Sequence, residues 1–550
     1  FRGHALIEGI VSGLSEHTVV PGDVDTNELL GIVDVLVTGY SSIFFDFIPT
    51  GRPIVFYAYD LEEYESERGM YFDMREMPGV LCRDIAGVVR ELAGILESPA
   101  RTNERAAPAA AVFCPREDGG STRRAVSFFM DDDVEYVVRG PERTGSSVLM
   151  YAGDFLNNGI TSSFLNLLGG MAEQGYRITV GLDHANVEAQ PIRMEKFSQV
   201  PESVQRITKV GGMVLSPEEK WVVDLFNKKY TLPSDRAWSV YLGAYAREHR
   251  RIFGYAQFDS SVQFEGFLRF WASLFASGAA GVHKAIYLHS DMFAEYVVRF
   301  PHLRAIFELY PRYDTLVSVS RTIRDINATK LSAHCNVPEE RFAYCMNAMD
   351  ADHVLQKSLE PLDEDLANWI GGRYCFVTMG RLSPEKDHAK LIRAFAGIRE
   401  QHPDVAMVIA GDGPLAYDLR HLVDSLDLAG QILMAGPRSN PFPLLRAAGC
   451  FVLSSNHEGQ PMVLLEAMVL GKPIVATDIH GSRDLLAGGK GLLVPNSVEG
   501  LADGMAAAIA GRVQAAAFDA KAYQHQVMER FAELVVGSNG GRVPGVGVTH

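Results

Sequence analysis

The sequence predicts an α/β protein made of Rossmann-like, doubly wound nucleotide-binding lobes. Three observations predict it. Short apolar runs of strand character alternate with helical patterns almost from end to end. Several of these runs end in a glycine or hydroxyl turn that opens a helix, as in VTGYSS (Val37–Ser42) and VTMGRLSPEKDH (Val377–His388). The pattern Gly-basic-Pro-Ile-Val also occurs twice, at Gly51–Val55 and Gly471–Val475, each time after a strand and a short helix. A helix-ending glycine and a strand-opening proline can recur by chance. The flanking motifs instead favour two related lobes.

The elements follow in order. VDVLVTG (Val33–Gly39), a helix from Ser41 and PIVFYAYD (Pro53–Asp60) make one strand–helix–strand unit. A charged, glycine-containing stretch, Asp131 to Gly145, reads as a linker, with the boundary placed at 133–145. A second alternating series opens at SSVLMYAGD (Ser146–Asp154) and a third at YCFVTMG (Tyr374–Gly380). Asp350–Gly372 is acidic and reads as an irregular hinge or crossover. The predicted lobes are 1–132, 146–349 and 350–510. A helix and a glycine-rich, disordered tail follow at 511–550.

A chain of 550 residues is too long for one core. Its net charge of −17 argues against a general nucleic-acid binder and against membrane binding by bulk charge. The six scattered cysteines form no CxxC pair, and read as buried thiols of a reducing, cytoplasmic compartment rather than zinc ligands. No apolar run spans a bilayer, since Met462–Ala476 is broken by Glu466 and Lys472. The chain begins at Phe1 with neither methionine nor a signal-peptide pattern, which leaves open that a segment precedes it.

The chemistry concentrates in the third series. Gly380 ends a strand where backbone can approach a ligand, and Arg381 and Lys386 set two cations beside a helix start. Such a place suits a diphosphate; alone, it also suits two solvated cations. The turn Gly411-Asp412-Gly413-Pro414 reads as structural, shaping the floor of a cleft. In SSNHEGQPMVLLEAMVL (Ser454–Leu470), Glu458 lies in a loop and Glu466 in an apolar helix. Glu458 can accept hydrogen bonds from sugar hydroxyls. Glu466 can hold a ribose diol, and a carboxylate on an apolar helix needs a partner. Gly459, Gln460 and Pro461 bring backbone to the helix N-terminus, where sugar or phosphate oxygens can bind.

Together, Gly-Arg-Leu-Ser-Pro-Glu-Lys-Asp, Gly-Asp-Gly-Pro, the two glutamates eight apart and ATDIHGSRDLL resemble the retaining glycosyltransferases of family 4, which have the GT-B fold. The resemblance covers about residues 146–510. It implies Arg381 and Lys386 on a donor diphosphate, Glu458 at the donor sugar and Glu466 on the ribose. It also implies Gly159 near a donor phosphate, His289 near the sugar, a UDP-linked donor and no metal. Asp484 departs from it, standing where glutamate is usual.

Tyr40, Ser41 and Ser42 open a helix after a strand and read as a phosphate site or a plain N-cap. With DTNELL, YSSIFFDF, GRPIVFYAYDLEEY, RGMYFD and EDGGSTRRAV, they resemble the CDP-glycerol glycerophosphotransferases that build teichoic acid. FRGHALI resembles that family's Arg-x-His segment and puts His4 forward as catalytic. Gly39 replaces the family's usual aspartate, and the family's own first lobe is missing, so residues 1–132 read as an incomplete site or a polymer-binding module. The combined expectation is a wall-polymer enzyme of the cytoplasm or inner membrane face. It would put a hexose or N-acetylhexosamine on a glycerol-phosphate polymer, or on a capsule or other lipid-linked glycan. CDP-glycerol would be a second substrate of the full-length protein only, with no glycerol-phosphate transfer expected of residues 1–132 as given.

Overall fold

The structure is a computed structural model and describes residues 20–21, 23–98, 106–131 and 145–535. The chain forms two compact units, Phe1–Glu142 and Arg143–His550. His4, the expected 133–144 part of the linker and the tail from Ser538 lie outside the described residues.

The first unit has three parallel strands, β1 (Leu36–Thr38), β2 (Ile54–Tyr57) and β3 (Val80–Cys82), in spatial order β1-β2-β3. Phe44, Phe47, Phe56, Leu61 and Met74 are buried in its core.

The second unit holds two larger sheets, both wholly parallel in their pairings. One contains β4 (Ser147–Tyr151), β5 (Arg177–Leu182), β6 (Gln205–Thr208), β7 (Ser260–Gln263), β8 (His283–Leu288), β9 (Thr315–Ser318) and β10 (Phe342–Tyr344). Their spatial order is β10-β9-β8-β7-β4-β5-β6. The other contains β11 (Tyr374–Met379), β12 (Val405–Ala410), β13 (Ile432–Gly436), β14 (Cys450–Leu453), β15 (Ile474–Thr477) and β16 (Leu492–Val494). Its order, β13-β12-β11-β14-β15-β16, is the Rossmann order. Strands such as VAMVIA are buried on both faces, which is why they read as continuous apolar runs.

The repeated pentapeptide builds the same turn twice. Gly51 and Gly471 both end a helical segment in the left-handed region, at φ 66° and 61°. Pro53 and Pro473 then lead into β2 and β15, and each proline carbonyl accepts the amide of the neighbouring strand, Leu36 at 3.1 Å and Phe451 at 2.9 Å.

Asp350–Gly372 is not irregular. It forms helices Ala351–Ser358 and Glu364–Ile370. Its acidic residues are an N-cap, Asp350, and first-turn residues, Asp352, Glu364 and Asp365, where the helix dipole favours negative charge. Val354 with Ser358, and Leu366 with Ile370, are buried at four-residue spacing. The helix Ala520–Val535 packs back on the seven-stranded lobe and buries Val527, Met528, Phe531 and Val535 in that lobe's core. All six cysteines are free thiols, and five are buried.

Candidate functional site

Strand order reverses once in each large sheet, between β4 and β7 and between β11 and β14. Loops leaving such a pair diverge and open a crevice at the carboxyl ends of the strands. Arg381 and Lys386 follow β11, Glu458 and Glu466 follow β14, and Gly159 follows β4.

Gly380 follows β11 at φ 150°, and Gly411 follows β12 at φ 148°. A β-carbon on Gly411 would collide with the Gly380 carbonyl oxygen, and one on Gly413 would lie 2.5 Å from the Leu382 oxygen. Leu382 N donates to Asp412 O at 2.9 Å, and Leu415 N donates to Leu382 O at 3.0 Å. The Gly-Asp-Gly turn is therefore a cradle that fixes the backbone carrying Arg381.

Arg381 is exposed, and among the described residues no hydrogen bond or ion pair engages its guanidinium. Lys386 is paired with Glu458, whose carboxylate also accepts Ser455 Oγ at 2.8 Å. Ser454 Oγ donates to Lys386 O at 2.8 Å, and Asn456 N donates to Glu385 O at 2.8 Å. The loops after β11 and β14 are thus cross-linked into one wall. Asp387, at φ 44°, caps the helix His388–Ile398 and accepts Asn456 Nδ2 at 3.0 Å.

Glu466 lies in the helix Met462–Val469. Its surface is partly accessible, yet protein surrounds it on nearly every side, as befits a side chain in a cleft wall. Burial pushes its carboxyl up to about 7, against a weaker opposing pull from Lys196. Among the described residues it has no hydrogen-bond or ion-pair partner.

The other lobe supplies the facing wall. Gly159 is the first residue of the helix Gly159–Glu173, capped by Asn158, and its β-position faces Met462 Cγ at 3.4 Å. His289 follows β8 and is buried. Its Nε2 donates to the Phe264 carbonyl at 2.5 Å, so Nδ1 is the unprotonated nitrogen of the neutral ring. Burial pushes this imidazole down to about 4. Gly459 lies against His289: a β-carbon there would collide with the His289 carbonyl oxygen.

Several contacts across this joint were not singled out in the sequence. Ser290 Oγ lies 2.6 Å from His457 Nε2 and 3.2 Å from Glu295 Oε1, and Glu295 raises the His457 pKa. Asp484 accepts Thr322 N at 3.2 Å and Thr322 Oγ1 at 2.6 Å, so it caps the opposite lobe's helix Arg321–Cys335. Gln460, expected at the donor, has its carboxamide engaged by Asn347 N at 2.6 Å and the Tyr523 hydroxyl at 3.4 Å. Pro461 is buried at the N-cap of the Glu466 helix. Lys390 is buried and bonded to Asn456 and Asn496; a lysine between the apolar positions of HAKLIRAF was its signal.

In the first unit, Tyr40 donates its hydroxyl to Asp60 at 2.7 Å and stacks on Tyr64. Ser41 and Ser42 are exposed at the start of the five-residue helix Ile43–Phe47. Ser41 Oγ accepts Ile43 N at 3.4 Å, while the Ser42 side chain makes no cap bond. Among the described residues, no group of three or more His, Cys, Asp or Glu side chains could hold a metal ion, and no helix is long and apolar enough to cross a membrane.

Residues 366–525 match the family of glycosyl transferases group 1. Residues 1–130 match CDP-glycerol:poly(glycerophosphate) glycerophosphotransferase. One chain thus matches two transferase families. A UDP-Gal:alpha-D-GlcNAc-diphosphoundecaprenol alpha-1,3-galactosyltransferase of Escherichia coli is 31% identical over 165 residues, 29% of this chain and 40% of that one. The teichoic acid glycerol-phosphate transferase of Staphylococcus aureus is 37% identical over 121 residues, 21% of this chain and 31% of that one. The chain spans less than half the length of these curated relatives. The solved structure of TarM has 12% identity and a TM-score of 0.50 over 70% of this chain and 96% of its own, which supports the fold alone. The second unit has the GT-B fold, two Rossmann-like lobes around a cleft.

Proposed function

We propose that Arg143–His550 is a retaining glycosyltransferase that moves a hexose or N-acetylhexosamine from a UDP-linked donor. One observation carries this reading. The Lys386–Glu458 pair, the unengaged Arg381 and the unpartnered Glu466 all belong to loops and a helix that follow the two switch-point strands β11 and β14.

The chemistry follows from those charges. Departure of a nucleoside diphosphate builds negative charge on its phosphate oxygens. Among the described residues Arg381 has no competing acceptor, and Lys386 can turn from Glu458 to the diphosphate. Glu458, released, accepts hydrogen bonds from sugar hydroxyls. These two cations would stabilise the departing diphosphate electrostatically, and on this reading the transfer needs no metal. Glu466 accepts both hydroxyls of a ribose, which gives its carboxylate the partners it lacks. Retention requires the acceptor to attack on the face the diphosphate leaves, at the wall formed by Gly159 and His289.

For the acceptor we favour a glycerol-phosphate polymer. The support is the match of residues 1–130 to a glycerophosphotransferase family and the teichoic acid transferase among the relatives. One unit would handle the polymer that the other decorates, at the inner face of the membrane, with CDP-glycerol a candidate second substrate. The name of the Escherichia coli relative favours a second reading, a lipid-linked glycan acceptor.

A thermal-shift screen against UDP-, GDP- and CDP-linked sugars tests the donor, because a ligand that binds only the folded state raises its midpoint. A UDP-sugar should raise it most. No shift with any nucleotide sugar would overturn the reading. Transfer of labelled sugar to poly(glycerol phosphate) or to an undecaprenyl-diphosphate glycan then decides between the acceptors.

A further inference from the structure

The seven-stranded lobe carries a second cavity, unrelated to the cleft. Its volume is about 470 Å³, and its walls include Gly243, Ala246, Ser277, Gly278, Lys284 and Arg312. Lys284 and His289 are five residues apart on β8 and just beyond it, so cavity and cleft lie at opposite ends of that strand, roughly 16 Å apart.

The cavity has the chemistry of an anion site. Among the described residues Lys284 Nζ donates only to main-chain carbonyls, Ala276 at 3.3 Å and Gly278 at 3.1 Å. Arg312 lies over the Trp238 ring, 5.3 Å from its centre, which orients the guanidinium without neutralising it. Among the described residues, neither cation has a carboxylate within ion-pair distance. Asp314 receives the main-chain amide of Lys284 at 2.9 Å, and Asp235 acts on Arg312 only from farther away. Burial depresses the Lys284 pKa; Asp314, outside ion-pair distance, opposes that, and Arg312 adds a smaller lowering. Ser277 Oγ is buried with no hydrogen-bond partner among the described residues. His249 Nε2 lies 3.3 Å from the β-position of Gly278, and burial together with Lys284 pushes this ring down to about 4, which keeps it neutral and able to donate. In a chain of net charge −17, two cations at one cavity with no carboxylate in ion-pair contact among the described residues are a local exception.

We propose that this cavity binds a small phosphate-bearing anion, either inorganic phosphate or a phosphate monoester. An ammonium, a guanidinium and a hydroxyl approach it from separate elements. A tetrahedral oxyanion offers several acceptor oxygens at once and satisfies all three. The volume exceeds what phosphate alone fills and leaves room for a short polyol ester. Gly243 keeps the mouth open, since a β-carbon there meets nothing within 4 Å.

Titration calorimetry on the full chain, with inorganic phosphate and with sn-glycerol 3-phosphate, tests this. Saturable binding is expected in the wild type. Arg312→Gln should weaken it on the order of tenfold, through loss of a charge-assisted bond. Gly243→Leu should block it by filling the cavity, while its melting midpoint stays at or above the wild-type value because leucine suits a helix better than glycine. Lys386→Ala, in the cleft, should leave it unchanged. Tighter binding of the ester identifies a polyol phosphate as the ligand, and equal binding identifies the inorganic ion. Absence of saturable binding, an unchanged isotherm in Arg312→Gln, or loss of binding in Lys386→Ala would overturn the proposal. The donor reading stands or falls on nucleotide-sugar binding, so the two fail separately.

Discussion

Gly459 of one lobe touches the main-chain carbonyl of His289 of the other, with no space for a β-carbon between them. The obstacle is backbone on both sides, so no rotamer change relieves it. Gly459→Ala should therefore shift the loop carrying Glu458 or part the lobes. Sub-ångström placement governs such reactions, and a loss of transfer on the order of a hundredfold is expected with secondary structure intact. Steady-state kcat/KM beside circular dichroism checks this. A wild-type rate would show that the close approach does not matter to the reaction.

Lys386 and Glu458 form one pair in the free protein and separate in the proposed donor complex. Lys386→Ala should cut transfer by on the order of a hundredfold, from lost stabilisation of the leaving diphosphate. Glu458→Gln should also reduce it. The two effects should not add, because each substitution already breaks the pair. A double-mutant cycle on kcat/KM measures the coupling, and strict additivity would mean that the residues act independently.

Much of this was legible in the sequence, and the reasons are specific. Buried parallel strands such as VAMVIA are apolar throughout, so strand positions and the doubly wound fold could be read directly. Gly380, Arg381, Lys386, Glu458 and Glu466 follow their strands closely enough for local pattern to place them on one wall. Contacts between lobes were not legible. Asp484 capping at Thr322 spans 162 positions, and Ser290 with His457 spans 167. No local periodicity reports such pairs. Asp350–Gly372 was misread because acidic residues signalled a loop, whereas they begin two short helices.

The cradle under Arg381 can be tested apart from the charges. Gly411 sits at φ 148°, and a side chain there would collide with Gly380 O. Gly411→Ala should lower the melting midpoint through a strain of about 1–3 kcal/mol and should weaken nucleotide-sugar binding. Gly397→Ala is the matched control. It lies in the helix His388–Ile398 with nothing within 4 Å of its β-position. That change should stabilise by about 0.5–1 kcal/mol. Equal midpoints for the two variants would contradict the cradle.

The Glu466 carboxyl makes the sharpest prediction about pH. Its pKa rises from 4.5 to about 7 because burial disfavours the charge. A carboxyl raised on folding contributes stability that is complete below its unfolded value and is lost as pH climbs through the folded one. The free wild type should thus lose midpoint between about pH 4.5 and pH 7 through this group, and Glu466→Gln should lack that part of the slope. Donor binding should run the other way. A ribose diol donates both hydrogens and selects the carboxylate, so binding releases a proton. Affinity for the donor should then rise with pH up to about 7, by at most about tenfold per unit. Glu466→Gln should bind more weakly, since its amide nitrogen cannot accept, and its affinity should lose that dependence. Calorimetry with a UDP-sugar at pH 5.5 and 7.5, set on either side of the Glu466 value of about 7, separates these outcomes. A wild-type affinity that does not change across that range would remove Glu466 from the ribose.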